Sequence, residues 1–319
     1  MKKMTEHFKE ISHPSEELFS LIPPLPEKLS LELNNTCNLN CVFCPFHSPY
    51  LSKEDQMTLS HMDPAFAKEL LKQAAALGIG RKELGLFATG EIFLYQGFDE
   101  ILRYARDLNA FSYTYLTTNG ILATPENIRL AVEAGVDSIR FSINAGNRSD
   151  YELLHGKDCF GTVLENLKEA SAYIKSLDRE LNLSASCVLT KKTLSEEENI
   201  RALFSQYVDD IVFIRAGYLD GIDPLLEEEY AVYGEEQQSF DNDDICGYVF
   251  NSLFIDSNGI VRLCCSSQKA LIPIVDLKKE PDLKKAWEHE TLISFRKRLL
   301  AGETKGTVCE KCLGRCISR

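Results

Sequence analysis

The sequence predicts an α/β protein, an open partial (β/α)6 barrel joined to a small cysteine-rich C-terminal domain. Three observations predict it. From Leu29 onward, strand-like and helix-like segments alternate, the order that builds parallel βαβ units. The strands carry polar residues on one face and apolar residues on the other. Six of the eleven cysteines fall after residue 244.

Residues 1–28 read as a short arm punctuated by Pro23, Pro24 and Pro26. Strands are expected at about 29–34, 84–89, 112–118, 137–143, 181–189 and 210–216. Helices are expected between them at about 63–78, 98–109, 124–134, 160–176 and 195–206. The first helix has a legible start, with Asp63 as cap and Pro64 in its first turn. In 137–144, Ser138, Arg140, Ser142 and Asn144 share one face, opposite Ile139, Phe141 and Ile143. Asn182, Ser184 and Ser186 oppose Leu183, Ala185, Cys187 and Leu189 in the same way, and Ser30, Glu32 and Asn34 oppose Leu29, Leu31 and Leu33. A closed eight-stranded barrel fills its lumen with branched apolar side chains. The repeated polar face here predicts a wet lumen that holds ligands, with helices covering the apolar face. An antiparallel sheet with one solvated side is the alternative, and the intervening helices weigh against it.

Charge and hydropathy narrow the function classes. A net charge of −13 without a basic stripe disfavours a nucleic-acid partner. No apolar run approaches the length of a membrane span, and no apolar stretch follows Lys2 and Lys3 to make a secretion signal. A cytoplasmic protein with no membrane partner is expected. In that reducing compartment, eleven cysteines point to metal binding or redox chemistry. The acidic, aperiodic stretch 219–244 reads as a linker between a barrel at 29–218 and a C-terminal domain at 245–319.

Cys37, Cys41 and Cys44 stand at C-x3-C-x2-C spacing directly after the first strand. Loops leaving the carboxyl ends of parallel strands build active sites. Three thiolates on one loop can each hold a corner of a [4Fe–4S] cube, leaving the fourth iron open to the amino and carboxylate groups of S-adenosylmethionine (SAM). A zinc site is the alternative, with His47 as a fourth ligand three residues beyond Cys44.

The triplet, with Phe43 before its last cysteine, resembles the signature of the radical SAM superfamily, and the resemblance spans 29–216 by element order. It implies a cluster that gives SAM one electron, yielding methionine and a 5′-deoxyadenosyl radical that abstracts a hydrogen atom. It also implies a low-potential electron donor such as flavodoxin or ferredoxin. Thr89-Gly90-Glu91 resembles the family's GGE element for the methionine amino group, with Thr89 in place of the first glycine. Thr117-Thr118-Asn119-Gly120 is similar to the family's TNG turn. Phe141-Ser142-Ile143-Asn144 stands where relatives read SLDG. By that match Ser142 and Asn144 are candidates for the SAM ribose or carboxylate; the alternative is a pair of satisfied polar residues at a strand end.

The C-terminal pattern, Cys246, Gly259, Cys264, then Cys309 and Cys312, resembles the SPASM/Twitch extension of the same superfamily. The resemblance implies a second, auxiliary [4Fe–4S] cluster on Cys246, Cys264, Cys309 and Cys312. Cys265 and Cys316 are too few for another four-thiolate site, which gives the shorter, Twitch-like version. Spacing leaves the choice between Cys264 and Cys265 open, and a zinc knuckle is the alternative for the whole set. Gly259 suits a hairpin turn that returns Cys264 towards Cys246. Cys187 reads as a packed core thiol and Cys159 as loop or core. Arg215 ends the sixth strand, where it either meets substrate in the cavity or makes a surface salt bridge; His155 and Lys157 receive no role. The expected function is that of a radical SAM oxidoreductase on a small-molecule substrate, oxidising or epimerising a sugar or aminocyclitol carbinol. The alternatives are a peptide or protein maturase and a non-catalytic zinc-binding scaffold.

Overall fold

A computed structural model describes residues 16–54, 56–216, 224–232, 246–264, 272–307 and 309–310. Six strands, β1 (Lys28–Leu31), β2 (Glu83–Leu86), β3 (Thr114–Thr118), β4 (Ser138–Ser142), β5 (Asn182–Leu189) and β6 (Asp210–Arg215), lie side by side in chain order. Every neighbouring pair among them is parallel, so the antiparallel alternative does not hold. The return paths are helical: α1 (Pro64–Leu77), α2 (Phe98–Asp107), α3 (Pro125–Ala134), α4 (Arg148–His155), α5 (Phe160–Lys175) and α6 (Glu197–Phe204). As the sequence signals, Asp63 caps α1, its side chain accepting the Phe66 N–H at 2.9 Å.

The two faces of the sheet separate by chemistry. Ile139, Phe141 and Ile143 near β4 and Leu183, Ala185, Cys187 and Leu189 of β5 are buried in the main core, each large apolar side chain contributing about 1.5–3 kcal/mol. Cys187 is the core thiol expected of it: its Sγ lies 2.6 Å from the Ile143 carbonyl, and burial pushes its pKa up to about 12. On the other face polar groups pair across strands. Ser138 donates to Asn182 at 3.3 Å, and the hydroxyls of Ser142 and Ser186 lie 3.4 Å apart.

β1 has a second neighbour. β7 (Ser252–Ile255) runs parallel to it, Lys28 opposite Ser252 through Leu31 opposite Ile255. β8 (Ile260–Arg262) and β9 (Pro273–Asp276) follow antiparallel. The C-terminal cysteine-bearing segment therefore extends the barrel's own sheet. Among the described residues the result is a 9-stranded sheet with β6 and β9 at its edges, open rather than closed. The hairpin predicted at Gly259 is present: φ is +82°, and an added Cβ would sit 2.6 Å from the Phe66 ring. The arm is tied to the same region. Trp287 Nε1, at the end of α9 (Leu283–Trp287), reaches the carbonyls of Pro23 and Pro24. Arg296, buried in α10 (Glu290–Leu300), lies 4.0 Å over the Trp287 ring. Before β7 stands the short α8 (Tyr248–Asn251).

Two helices before residue 245 go beyond the expected set. α4 is a helix of 8 residues that the sequence pattern did not signal; the Asn147 side chain caps it by accepting the Asp150 N–H at 2.9 Å. The stretch 219–244 is also not simply an aperiodic linker, because it contains α7 (Pro224–Tyr230). Tyr230 is buried in a second apolar cluster with Val42, Leu51 and Leu154, and its carbonyl accepts the Lys191 N–H at 3.0 Å. The flanking 219–223 and 233–244 lie outside the described residues. Among the described residues no helix is long and apolar enough to cross a membrane.

Candidate active site

β1 ends at Leu31, short of the expected 34, because the chain beyond it turns to bind its neighbours. The Glu32 N–H donates to the Ile255 carbonyl at 2.9 Å, and Asn34 bridges to His61. The loop that follows carries Cys37, Cys41 and Cys44. It is pinned by Val42 N–H to the Leu154 carbonyl at 2.9 Å, by Cys44 N–H to the Cys41 carbonyl at 3.0 Å, and by Lys157 to the Asn38 carbonyl. Asn119 Nδ2 donates to Asn38 Oδ1 at 2.6 Å and lies 3.8 Å from Cys37 Sγ. The three residues keep some surface while their sulfurs lie deep. Burial pushes all three thiols up, Cys44 to about 11; Cys41 also rises through the neighbouring sulfurs of Cys44 and Cys37. Thiols raised in this way stay protonated until a bound metal displaces the proton into solvent.

The donor set fits an iron–sulfur cluster: the three thiols lie within electrostatic reach of one another, and thiolates are the ligands such a cube takes. His47, the zinc alternative's fourth ligand, instead directs Nε2 to the Thr89 carbonyl at 2.9 Å. Tyr151 supplies a further sign of a missing acceptor or donor. Its hydroxyl is buried, has no hydrogen-bond partner among the described residues, and lies within electrostatic reach of Cys41 and Cys37.

The second wall is the exit of β2. Gly90 is packed so tightly against the β1 exit that a Cβ there would lie 2.6 Å and 2.7 Å from the Asn34 and Thr36 carbonyl oxygens. Glu91 is buried beneath the turn after β3. It accepts Thr118 Oγ1 at 2.7 Å, Asn119 N–H at 2.6 Å and Phe93 N–H at 3.2 Å. Burial outweighs these bonds and pushes its pKa up to about 7. The GGE-like and TNG-like segments are thus one hydrogen-bonded unit. Thr89, the departure from the glycine of the motif, has its own partner: both its N–H and its hydroxyl donate to Glu32 Oε1, at 2.9 Å and 2.6 Å.

The exit of β4 is the third wall. Ser142 is half-buried beside Ser186, whereas Asn144 is buried. Asn144 Oδ1 accepts the Val188 N–H at 2.8 Å, and its Nδ2 lies 3.3 Å from His155 Nε2. His155 Nδ1 lies 3.0 Å from Cys41 Sγ. Its ring stacks on Tyr151 with centroids 4.2 Å apart and meets the edge of Phe43 at 6.2 Å. Burial pushes the His155 pKa down to about 4. Sequence reasoning passed over this histidine because it ends a helix too short to announce itself. Arg215 is exposed at the end of the edge strand β6.

The C-terminal thiols of Cys246, Cys264 and Cys309 are half-buried and pack against the main core; Cys265, Cys312 and Cys316 lie outside the described residues. Cys246 precedes β7 and Cys264 follows β8. Both therefore flank the open end of the β7–β8 hairpin, at the amino end of β1, while the Cys37 loop leaves its carboxyl end.

Solved structures share this architecture. BtrN in complex with AdoMet and 2-DOIA superposes with a TM-score of 0.53 at 17% identity, covering 87% of this chain and 88% of that one. Native anSMEcpe with bound AdoMet gives 0.62 at 18%, covering 85% and 84%. Streptococcus suis SuiB bound to S-adenosylmethionine gives 0.63 at 16%, covering 86% and 68%. At these identities the likeness concerns the fold alone. In sequence, the chain is 26% identical over 197 residues to an uncharacterized protein of Methanocaldococcus jannaschii, covering 56% of this chain and 62% of that protein. It is 30% identical over 174 residues to a probable GTP 3′,8-cyclase of Sulfurisphaera tokodaii, covering 54% and 50%. The chain thus spans between 50% and 62% of the length of these curated relatives. The SPASM model, an iron-sulfur cluster-binding domain, matches residues 246–313. The radical SAM model matches residues 31–203, just over half of the chain and the whole region in which the three walls meet, and on that match the chain belongs to the radical SAM superfamily.

Proposed function

We propose that the chain oxidises or epimerises a carbinol carbon of a small metabolite, a sugar or aminocyclitol, by radical SAM chemistry. The superfamily's cofactors are SAM and a [4Fe–4S] cluster, and the C-terminal iron–sulfur domain brings a second cluster. On this reading Cys37, Cys41 and Cys44 hold the first, and Cys246, Cys264, Cys309 and Cys312 the second. Bound there, cluster and SAM supply a one-electron reductive cleavage that yields a hydrogen-abstracting 5′-deoxyadenosyl radical.

The protein's own residues do the positioning. Gly90 lets the β2 exit lie against the β1 exit, where Thr89, Gly90 and Glu91 form the edge for the methionine end of SAM. Ser142 and Asn144 border the site from β4, and Phe43 packs within the cluster loop. Arg215, at the rim, is available to a substrate. A flavodoxin or ferredoxin serves as the electron donor.

One observation carries the oxidative reading. Two sets of thiols flank opposite ends of β1 and β7, and the polar face of the sheet runs between them, with Ser30, Ser138, Ser142, Ser184 and Ser186. A substrate bound on that face would lie between the thiols that would hold an electron-donating cluster and those that would hold an electron-accepting one. The test is anaerobic reconstitution to about eight irons per chain, as two cubes require. Reduced enzyme is then incubated with SAM and carbinol-deuterated sugars or aminocyclitols. Deuterium in 5′-deoxyadenosine supports the proposal. Transfer from peptides and from no carbinol substrate replaces it with a maturase.

A further inference from the structure

The hydrogen-bond chain from Val188 to Cys41 fixes the tautomer of His155. The Val188 backbone N–H can only donate, so the Asn144 atom 2.8 Å away is its carbonyl oxygen. That choice turns the Asn144 NH2 group toward His155 Nε2, at 3.3 Å. An amide NH2 donates and does not accept. Nε2 must therefore be the unprotonated, accepting nitrogen, and the ring proton resides on Nδ1. Nδ1 lies 3.0 Å from Cys41 Sγ, within reach of an N–H···S hydrogen bond. Tyr151 stacked on one face of the ring holds its plane.

We infer that His155 is a positioning residue whose Nδ1–H donates a hydrogen bond to the sulfur of Cys41 and so raises the reduction potential of the cluster that Cys41 holds. The inference rests on the reading of Cys37, Cys41 and Cys44 as cluster ligands. Its physical basis is general: hydrogen bonds to cluster sulfurs favour the more negatively charged, reduced state, and outer partners of this kind also orient the ligand. The backbone amide of Val188, on β5, thus acts on a sulfur of the β1 loop through two side chains.

The test compares wild type with His155→Phe, which removes the donor, and His155→Asn, whose side-chain amide offers an N–H near the position of Nδ1. Potentials are read on the reconstituted cluster whose EPR signal responds to SAM. A more negative midpoint in His155→Phe, with His155→Asn returned towards wild type, is expected. Equal potentials in all three proteins overturn the inference. Independently of folding in the variants or of any cluster, 15N correlation spectra of histidine-labelled apoprotein report the tautomer. Nδ1–H is expected, and Nε2–H overturns the role. Wild-type protein that takes up no SAM-responsive cubane overturns the reading of the loop itself, whereas a cubane of unchanged potential in His155→Phe rejects only His155.

Discussion

Ser257 donates both its backbone N–H and its hydroxyl to one carboxylate oxygen of Glu32, each at 2.9 Å, across 225 positions of chain. The other oxygen takes the two donors of Thr89. A single buried carboxylate thus ties the β2 exit to the turn of the β7–β8 hairpin. Glu32→Ala strands four donors, and at about 1–3 kcal/mol for each that stays buried and unpaired the loss should reach about 3 kcal/mol or more in urea unfolding. Thr89→Gly, which restores the family's glycine, and Ser257→Ala should lose stability non-additively, with a coupling of about 0.5–3 kcal/mol. Strictly additive losses would show that the carboxylate does not link the two segments.

Gly90→Ala drives a methyl group against two backbone carbonyls at under 3 Å. Backbone yields less readily than a side-chain tip, so a cost of about 1–3 kcal/mol is expected. The displaced β1 exit leads into the cysteine loop, so iron uptake on reconstitution should fall as well. Normal stability with full iron loading would disprove the tight approach.

Glu91 gives the apoprotein a pH signature. Its carboxyl, ordinarily at 4.5, is raised to about 7 by burial in the folded chain. The folded state therefore binds this proton more tightly than the unfolded state. Its contribution is complete below about pH 4.5 and is lost as pH climbs through about 7. Glu91→Gln should flatten that part of the stability curve relative to wild type, measured by urea titration at each pH. Parallel curves would mean that the carboxyl is not raised.

Replacing Cys37, Cys41 and Cys44 together with Ala should abolish even uncoupled SAM cleavage, scored as 5′-deoxyadenosine. Replacing Cys309 and Cys312 should spare that cleavage and stop substrate turnover. Completed turnover in the second variant removes the electron-accepting role of the C-terminal cluster.

Much of this was legible because periodicity and motif agreed. The alternation of Ile139, Phe141 and Ile143 with Ser138, Arg140 and Ser142 gave both the strand and its polar face. Asp63 and Pro64 marked the start of α1 within a residue. What stayed hidden depends on contacts distant in sequence. Nothing in KLSL announces β7 as a second parallel neighbour, because pairing of short parallel strands is decided by tertiary packing. Thr89 departs from the motif's glycine because its partner is Glu32, 57 positions away and shared with Ser257. His155 carried no signal at all, since its meaning comes from Asn144 and Cys41, 11 and 114 positions away.

The ladder between β1 and β7 has a consequence for electron flow. Tunnelling slows steeply with distance, and partners on loosely tethered bodies sample many separations, most of them too long. Here the Cys37 loop grows from one strand, and Cys246 and Cys264 stand at the two ends of the segment holding its hydrogen-bonded neighbour. Clusters held at these two places would be carried by strands of one hydrogen-bonded sheet rather than by separately tethered bodies.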